Sequence, residues 1–159
     1  MAFTASAIFR EWLSQAYQVS GTGYTGLDSD AVNVALYNNT GTPDKDAAVA
    51  STGYNTGQWV VANEVTDATN WVAGGRALAS KTFTTPSTGV FQFTAANLAG
   101  GGNVTLAGVL GCLVYDNTIS GGTVAKQGAS FHWFGGSQSV TAGTFTIVWN
   151  ANGIHRITV

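Results

Sequence analysis

Few side chains in this sequence are of a type that does chemistry, and their spacing is the first thing to weigh. His132 and His155 are the only histidines, and Cys112 is the only cysteine. Each histidine falls in a predicted strand between apolar or aromatic neighbours, with no carboxylate motif beside it, so the metal signal is weak and both are expected to be structural. Asp28 and Asp30 form one Asp-x-Asp pair, and Asp44 and Asp46 form another. A calcium loop uses more oxygen ligands in a tighter set, so both pairs are expected to be solvated turn residues. No Gly-x-Ser-x-Gly elbow is present to raise a serine as nucleophile. Gly100-Gly101-Gly102 is not followed by Lys-Ser or Lys-Thr, so it reads as a hairpin connection and not as a phosphate loop. A lone cysteine allows neither an internal disulfide nor a cysteine-based zinc site. The expectation is a chain with no catalytic residue, no metal and no cofactor, in which a small hydrolase built on His132 or His155 ranks last.

Composition points the same way. The chain has 159 residues, enough for one domain with a real core. Only 9% of residues are charged, against about 25% in an average soluble domain. The surface must then be largely Thr, Ser, Asn, Gln and Gly, which loses little ionic hydration when a neighbour covers it. The net charge of −2 and scattered basic residues leave no footprint for nucleic acid. No apolar run approaches the roughly 20 residues of a membrane span, and the N-terminus lacks the basic and apolar regions of a signal peptide. Asn38-Asn39-Thr40 and Asn103-Val104-Thr105 match the glycosylation sequon, and without a secretory signal they read as chance.

The aromatics are the remaining candidates for function. Trp12, Trp59, Trp71, Trp133 and Trp149 are many for this length. Core packing is the first expectation for any one of them. A solvent-facing ring would instead anchor a subunit interface or stack on a sugar. Phe131-His132-Trp133-Phe134 places aromatics on both faces of its strand.

These residues need elements to position them. Ile8, Phe9, Trp12, Leu13, Ala16 and Tyr17 recur at helical spacing, which predicts a helix over Ala7 to Gln18 with Ser6 as its N-cap. After Gly26 the period becomes two. Val32, Val34 and Leu36 alternate with Asn33, Ala35 and Tyr37. Further strands are predicted over Gln58 to Ala62, Arg76 to Thr84, Val90 to Thr94, Val104 to Tyr115, Ala129 to Phe134, Thr144 to Trp149 and Ile154 to Val159. Gly108 and Gly111, inside the longest apolar run, predict a bulge or a close backbone approach. Asn152-Gly153 predicts a tight hairpin between the last two strands. The result is one all-β domain, a β-sandwich or barrel-like antiparallel fold, with a short N-terminal helix or arm over 1–20 and the β-sandwich over 27–159.

The order of these elements resembles a family of small tailed-phage virion proteins, either head decoration or tail-associated. The resemblance is carried in order by Ala35-Leu36-Tyr37, Thr42-Pro43-Asp44, Gly53-Tyr54, Trp71, Thr82-Phe83, the Gly108 to Asp116 run, Val140-Thr141-Ala142-Gly143 and Ile157-Thr158-Val159. Asn55 and Thr56 follow the Gly-Tyr where many such relatives place a basic residue. The resemblance implies a non-enzymatic, β-rich, oligomeric virion protein. The leading expectation is a capsid decoration (cement) protein on the outer surface of the head, a homotrimer whose partner is the major capsid protein. The alternative is a tail-tip or fibre-associated protein that binds a host-surface glycan. Residues 31–71 read as a docking device, with the loop from Asn38 to Tyr54 as its contact element. The candidate interface residues are Phe9, Trp12, Pro43, Asp44, Lys45, Tyr54, Trp59, Trp71 and Trp133.

Overall fold

The computed structural model describes residues 3–10, 12 and 23–159. The chain is all-β. Its strands are β1 Ala7–Ile8, β2 Val32–Tyr37, β3 Arg76–Ala77, β4 Thr82–Ser87, β5 Val90–Thr94, β6 Leu98–Ala99, β7 Val104–Asp116, β8 Gly128–Gly143, β9 Thr146–Ile147 and β10 His155–Thr158. All pair antiparallel, in a five-stranded sheet of order β1-β8-β7-β2-β3, a three-stranded sheet β10-β5-β4 and a two-stranded sheet β6-β9.

β2 keeps the predicted alternation, yet five of its six residues are buried, so neither face is left to solvent. One face joins the core. On the other, Tyr37 donates to the Trp59 carbonyl at 2.6 Å and Asn33 Nδ2 donates to the Gly74 carbonyl at 3.2 Å. The segment between Gly53 and Gly75 therefore lies over the face that alternation alone would leave wet.

Both expectations for the β7 glycines are met. Gly108 has φ +72 and sits where the β7–β8 register shifts. At Gly111 an added Cβ would stand 2.3 Å from the His132 carbonyl and 2.8 Å from the Phe3 ring, so only glycine allows that approach.

Several element boundaries differ from expectation. Ala7 and Ile8 do not open a helix. They pair with Phe131 and Ser130, and the Phe9 and Arg10 amides donate to the Ala129 and Lys45 carbonyls. Ser6 is no N-cap, because its hydroxyl accepts the Trp133 amide at 2.8 Å. Arg10 and Trp12 have helical backbone, and the rest of the expected helix, Glu11 and 13–18, lies outside the described residues. Gln58 to Ala62 is not a strand but a turn leading into a 3-10 turn at Val61–Asn63. The expected strand from Arg76 to Thr84 splits at Ser80, which has φ +53, and its halves serve different sheets. Thr144 to Trp149 contributes only β9, which pairs with β6. The Asn150–Gly153 turn therefore joins strands of two different sheets and is no hairpin. Likewise Gly100–Gly102 links β6 to β7, which do not pair.

Candidate interaction surface

Five of the nine candidate interface residues belong to the core: Phe9, Trp12, Tyr54, Trp59 and Trp71. Trp59 is 1% exposed, and around it converge Phe3, Phe9, Tyr37 and Phe131 at ring-centroid distances of 5.1 to 6.0 Å. Trp71 packs edge-on to Phe145 at 5.6 Å, with the Arg76 guanidinium over its ring at 5.8 Å. Edge-to-face contacts of this kind add to the area each ring buries. These rings hold the fold and present no surface, which corrects the reading of Trp59 and Trp71 as docking anchors.

The Gly-Tyr segment is folded inward by a polar cluster. The Tyr54 hydroxyl donates to Glu64 Oε2 at 2.8 Å, and the Gly74 amide donates to Glu64 Oε1 at 3.0 Å. Tyr54 stacks on Tyr115 at 4.8 Å, and the Tyr115 hydroxyl donates to the Gly74 carbonyl at 2.8 Å. Burial pushes the Glu64 carboxyl up; the Tyr54 and Gly74 bonds oppose that without cancelling it. At Gly75, φ is +67 and an added Cβ would stand 1.9 Å from the Val34 carbonyl, so the loop closes on β2 only through glycine.

The loop's outward part is Pro43, Asp44 and Lys45. Asp44 and Lys45 are exposed and Pro43 is half-buried. With Asp46 they face Thr4, Ala5, Ala7 and Phe131 across a shallow concavity beside β1. Lys45 and Arg10 both pair with Asp46, and the Asp46 amide donates to Asp44 Oδ1 at 2.8 Å. These ions satisfy one another at the surface, where such pairs contribute little to stability.

Trp133 is the one candidate aromatic that reaches solvent, at 39% exposure. It borders a groove lined also by Phe134, Gln138, Phe145, Thr146, Ile147 and Val148, in which Val148 is 70% exposed. The strand behind it, β8, pairs with β1 only at Phe131 and Ser130. Among the described residues no strand pairs with the outer edge of β8 beyond that point.

The residues that could do chemistry are placed where they hold the core. Ser130 Oγ lies 2.9 Å from His132 Nε2 and 2.8 Å from His155 Nε2, bridging β8 to β10. Burial holds His132 down to about 4 and His155 down to about 3, the latter helped by its neighbour. Both imidazoles are therefore neutral at pH 7. Ser130 and His155 are buried, and His132 is half-buried. Burial also pushes the Cys112 thiol up, which removes its nucleophilic form. Among the described residues no three His, Cys, Asp or Glu side chains converge as metal ligands, and no helix is long and apolar enough to cross a membrane.

Asp30 departs from its reading as a solvated turn residue. It is 3% exposed and accepts from the Thr25 amide and hydroxyl and the Gly26 amide. Burial alone would raise its pKa, but the bonds from Thr25, Asp116 and Gly26 outweigh that and hold it below the usual carboxylate range. Asp116, fully buried beside it, is pushed up to about 7 by burial and by sharing a proton with Asp30. Neither this pair nor the His-Ser-His bridge is visible at short spacing, because each joins residues far apart in the chain. No protein-family model, curated protein or solved structure matches the chain.

Proposed function

We propose that this chain is a structural virion protein: a decoration (cement) protein that binds between major capsid subunits on the outer surface of a tailed-phage head, as a homotrimer without enzymatic activity. The observation that carries the reading is the distribution of charge. No Asp, Glu, Lys or Arg occurs between Lys126 and Arg156, and this stretch forms all of β8, β9 and the Trp133 groove. Free strand edges in soluble proteins are commonly guarded by charges or proline, and the outer edge of β8 has neither. A surface of this composition can be covered at little cost in ion desolvation. Cyclic packing of copies, or seating on a neighbouring capsid subunit, would cover it. The order of motifs from Ala35-Leu36-Tyr37 to Ile157-Thr158-Val159 supports the same assignment.

The mechanism is mass action, since a ligand that binds only the assembled shell stabilises that shell. Particles made without the chain should release their contents at lower temperature and on milder osmotic shock than complete particles. Equal resistance of the two kinds of particle would remove the cement role.

A further inference from the structure

We infer that the groove beside Trp133 is a binding site for a neutral saccharide. The inference stands on the groove alone and concerns the free chain, before a neighbouring subunit covers β8.

The groove measures about 440 Å³, within the range of small-ligand sites. Its platform is held from behind. The Trp133 amide donates to Ser6 Oγ at 2.8 Å, and Trp133 pairs with Gly111 of β7. Phe134 and Phe145, which also line the groove, pack together at 6.2 Å. The strand that carries the indole is therefore held in place, and the residue is 39% exposed. Among the described residues the Trp133 indole N–H makes no hydrogen bond, and the Gln138 amide makes only one, from Nε2 to the Gly136 carbonyl at 3.3 Å. The Thr146 hydroxyl adds a further exposed donor and acceptor on the rim.

This set selects the ligand class by its charge and by its shape. With no ionic side chain in the lining, a phosphate, sulfate or carboxylate would lose its hydration and find no counter-charge. A purely apolar ligand would leave the free amide and indole donors unsatisfied. A pyranose meets both demands, since its flat C–H face covers an indole while the ring hydroxyls reach the amide and hydroxyl around it.

The test is calorimetric and fluorimetric titration of the purified chain with soluble neutral hexasaccharides: β-glucan, α-glucan, chitin and mannan fragments, with a heparin hexasaccharide as the anionic control. At least one neutral fragment should bind, heparin should not, and Trp133→Ala should weaken binding by about tenfold or more, the scale expected when the central anchor of a site is truncated. Gln138→Ala, an exposed change, should weaken it by a smaller factor at unchanged melting temperature, which keeps the test valid if Trp133→Ala folds poorly. Failure of every neutral fragment to bind would overturn the inference. So would salt-sensitive binding of heparin alone, or unchanged affinity in both variants. Because it is read on the isolated chain, this result is separate from the shock resistance of particles.

Discussion

The segment from Gly53 to Gly75 and the segment from Trp133 to Val148 are both rich in aromatics and glycine, yet they lie on opposite sides of the boundary between core and surface. In the first, Gly75 lets the backbone close on β2, and Tyr54, Glu64 and Tyr115 satisfy one another inside, so Trp59 and Trp71 are sealed. The second holds no charged residue and, among the described residues, no loop covers it, so Trp133 and Val148 remain open. The difference lies in polar satisfaction and backbone approach, not in how many aromatics each segment holds. A buried charged group demands partners, and building those partners consumes the loop.

Variants should separate the two segments, most strongly at the sealed rings. Trp59→Ala should cost about 3–5 kcal/mol, because a large side chain leaves a cavity that the four surrounding rings cannot fill. Chemical denaturation measures this, and a cost under about 1 kcal/mol would mean the ring is not part of the core. Gly75→Ala combines a left-handed φ with a clash against the Val34 carbonyl and should cost about 2–4 kcal/mol. Gly108→Ala has the same sign of φ but open space around it, so strain alone should cost about 1–2 kcal/mol. Near-equal losses at the two glycines would break the claim that close approach is what shuts the loop. Tyr54→Phe removes one donor from buried Glu64 and should cost about 1–3 kcal/mol, read from the shift in melting temperature.

The buried groups also set opposing pH trends. His132 and His155 stay neutral in the fold but take protons when unfolded below about 6.5, so their effect is loss of stability as pH falls from there towards about 3. Asp116 works in reverse. Its folded form keeps a proton up to about 7, so its contribution is present below the ordinary carboxylate range and is lost as pH rises through about 7; Glu64, also raised, adds in the same direction. Asp116→Asn should therefore remove much of the decline towards neutrality and leave the acid limb intact. Stability curves of the variant and the parent that stay parallel from pH 4 to 8 would contradict this. The smallest effect belongs to the open segment. Trp133→Ala should cost only about 1 kcal/mol, well below Trp59→Ala, since 39% of its surface is already exposed.

Much of this was legible in the sequence wherever structure is local. Val32 to Tyr37 and Val90 to Thr94 read correctly from alternation, and the β7 run with its two special glycines read correctly from composition. β8 runs well past the predicted Ala129 to Phe134, because Gly135, at φ +79, turns locally while the strand continues to Gly143. Ala7 and Ile8 carry helical spacing, but they pair with β8, and the Arg10 amide that follows donates to the Lys45 carbonyl. The candidate surface was legible only at its edges. Pro43, Asp44, Lys45 and Trp133 reach solvent, while the burial of Tyr54, Trp59 and Trp71 depends on glycines and a glutamate whose partners are distant in sequence.

Hydrogen–deuterium exchange on the free chain and on the chain bound to the phage head proposed as its partner tests the central claim most directly, because it asks which segment meets a partner. The account predicts new protection along the outer edge of β8, from Phe134 to Gly143, with the Gly53–Gly75 segment unchanged because it is already sealed. New protection confined to Gly53–Gly75, with β8 exchanging as freely as before, would contradict it.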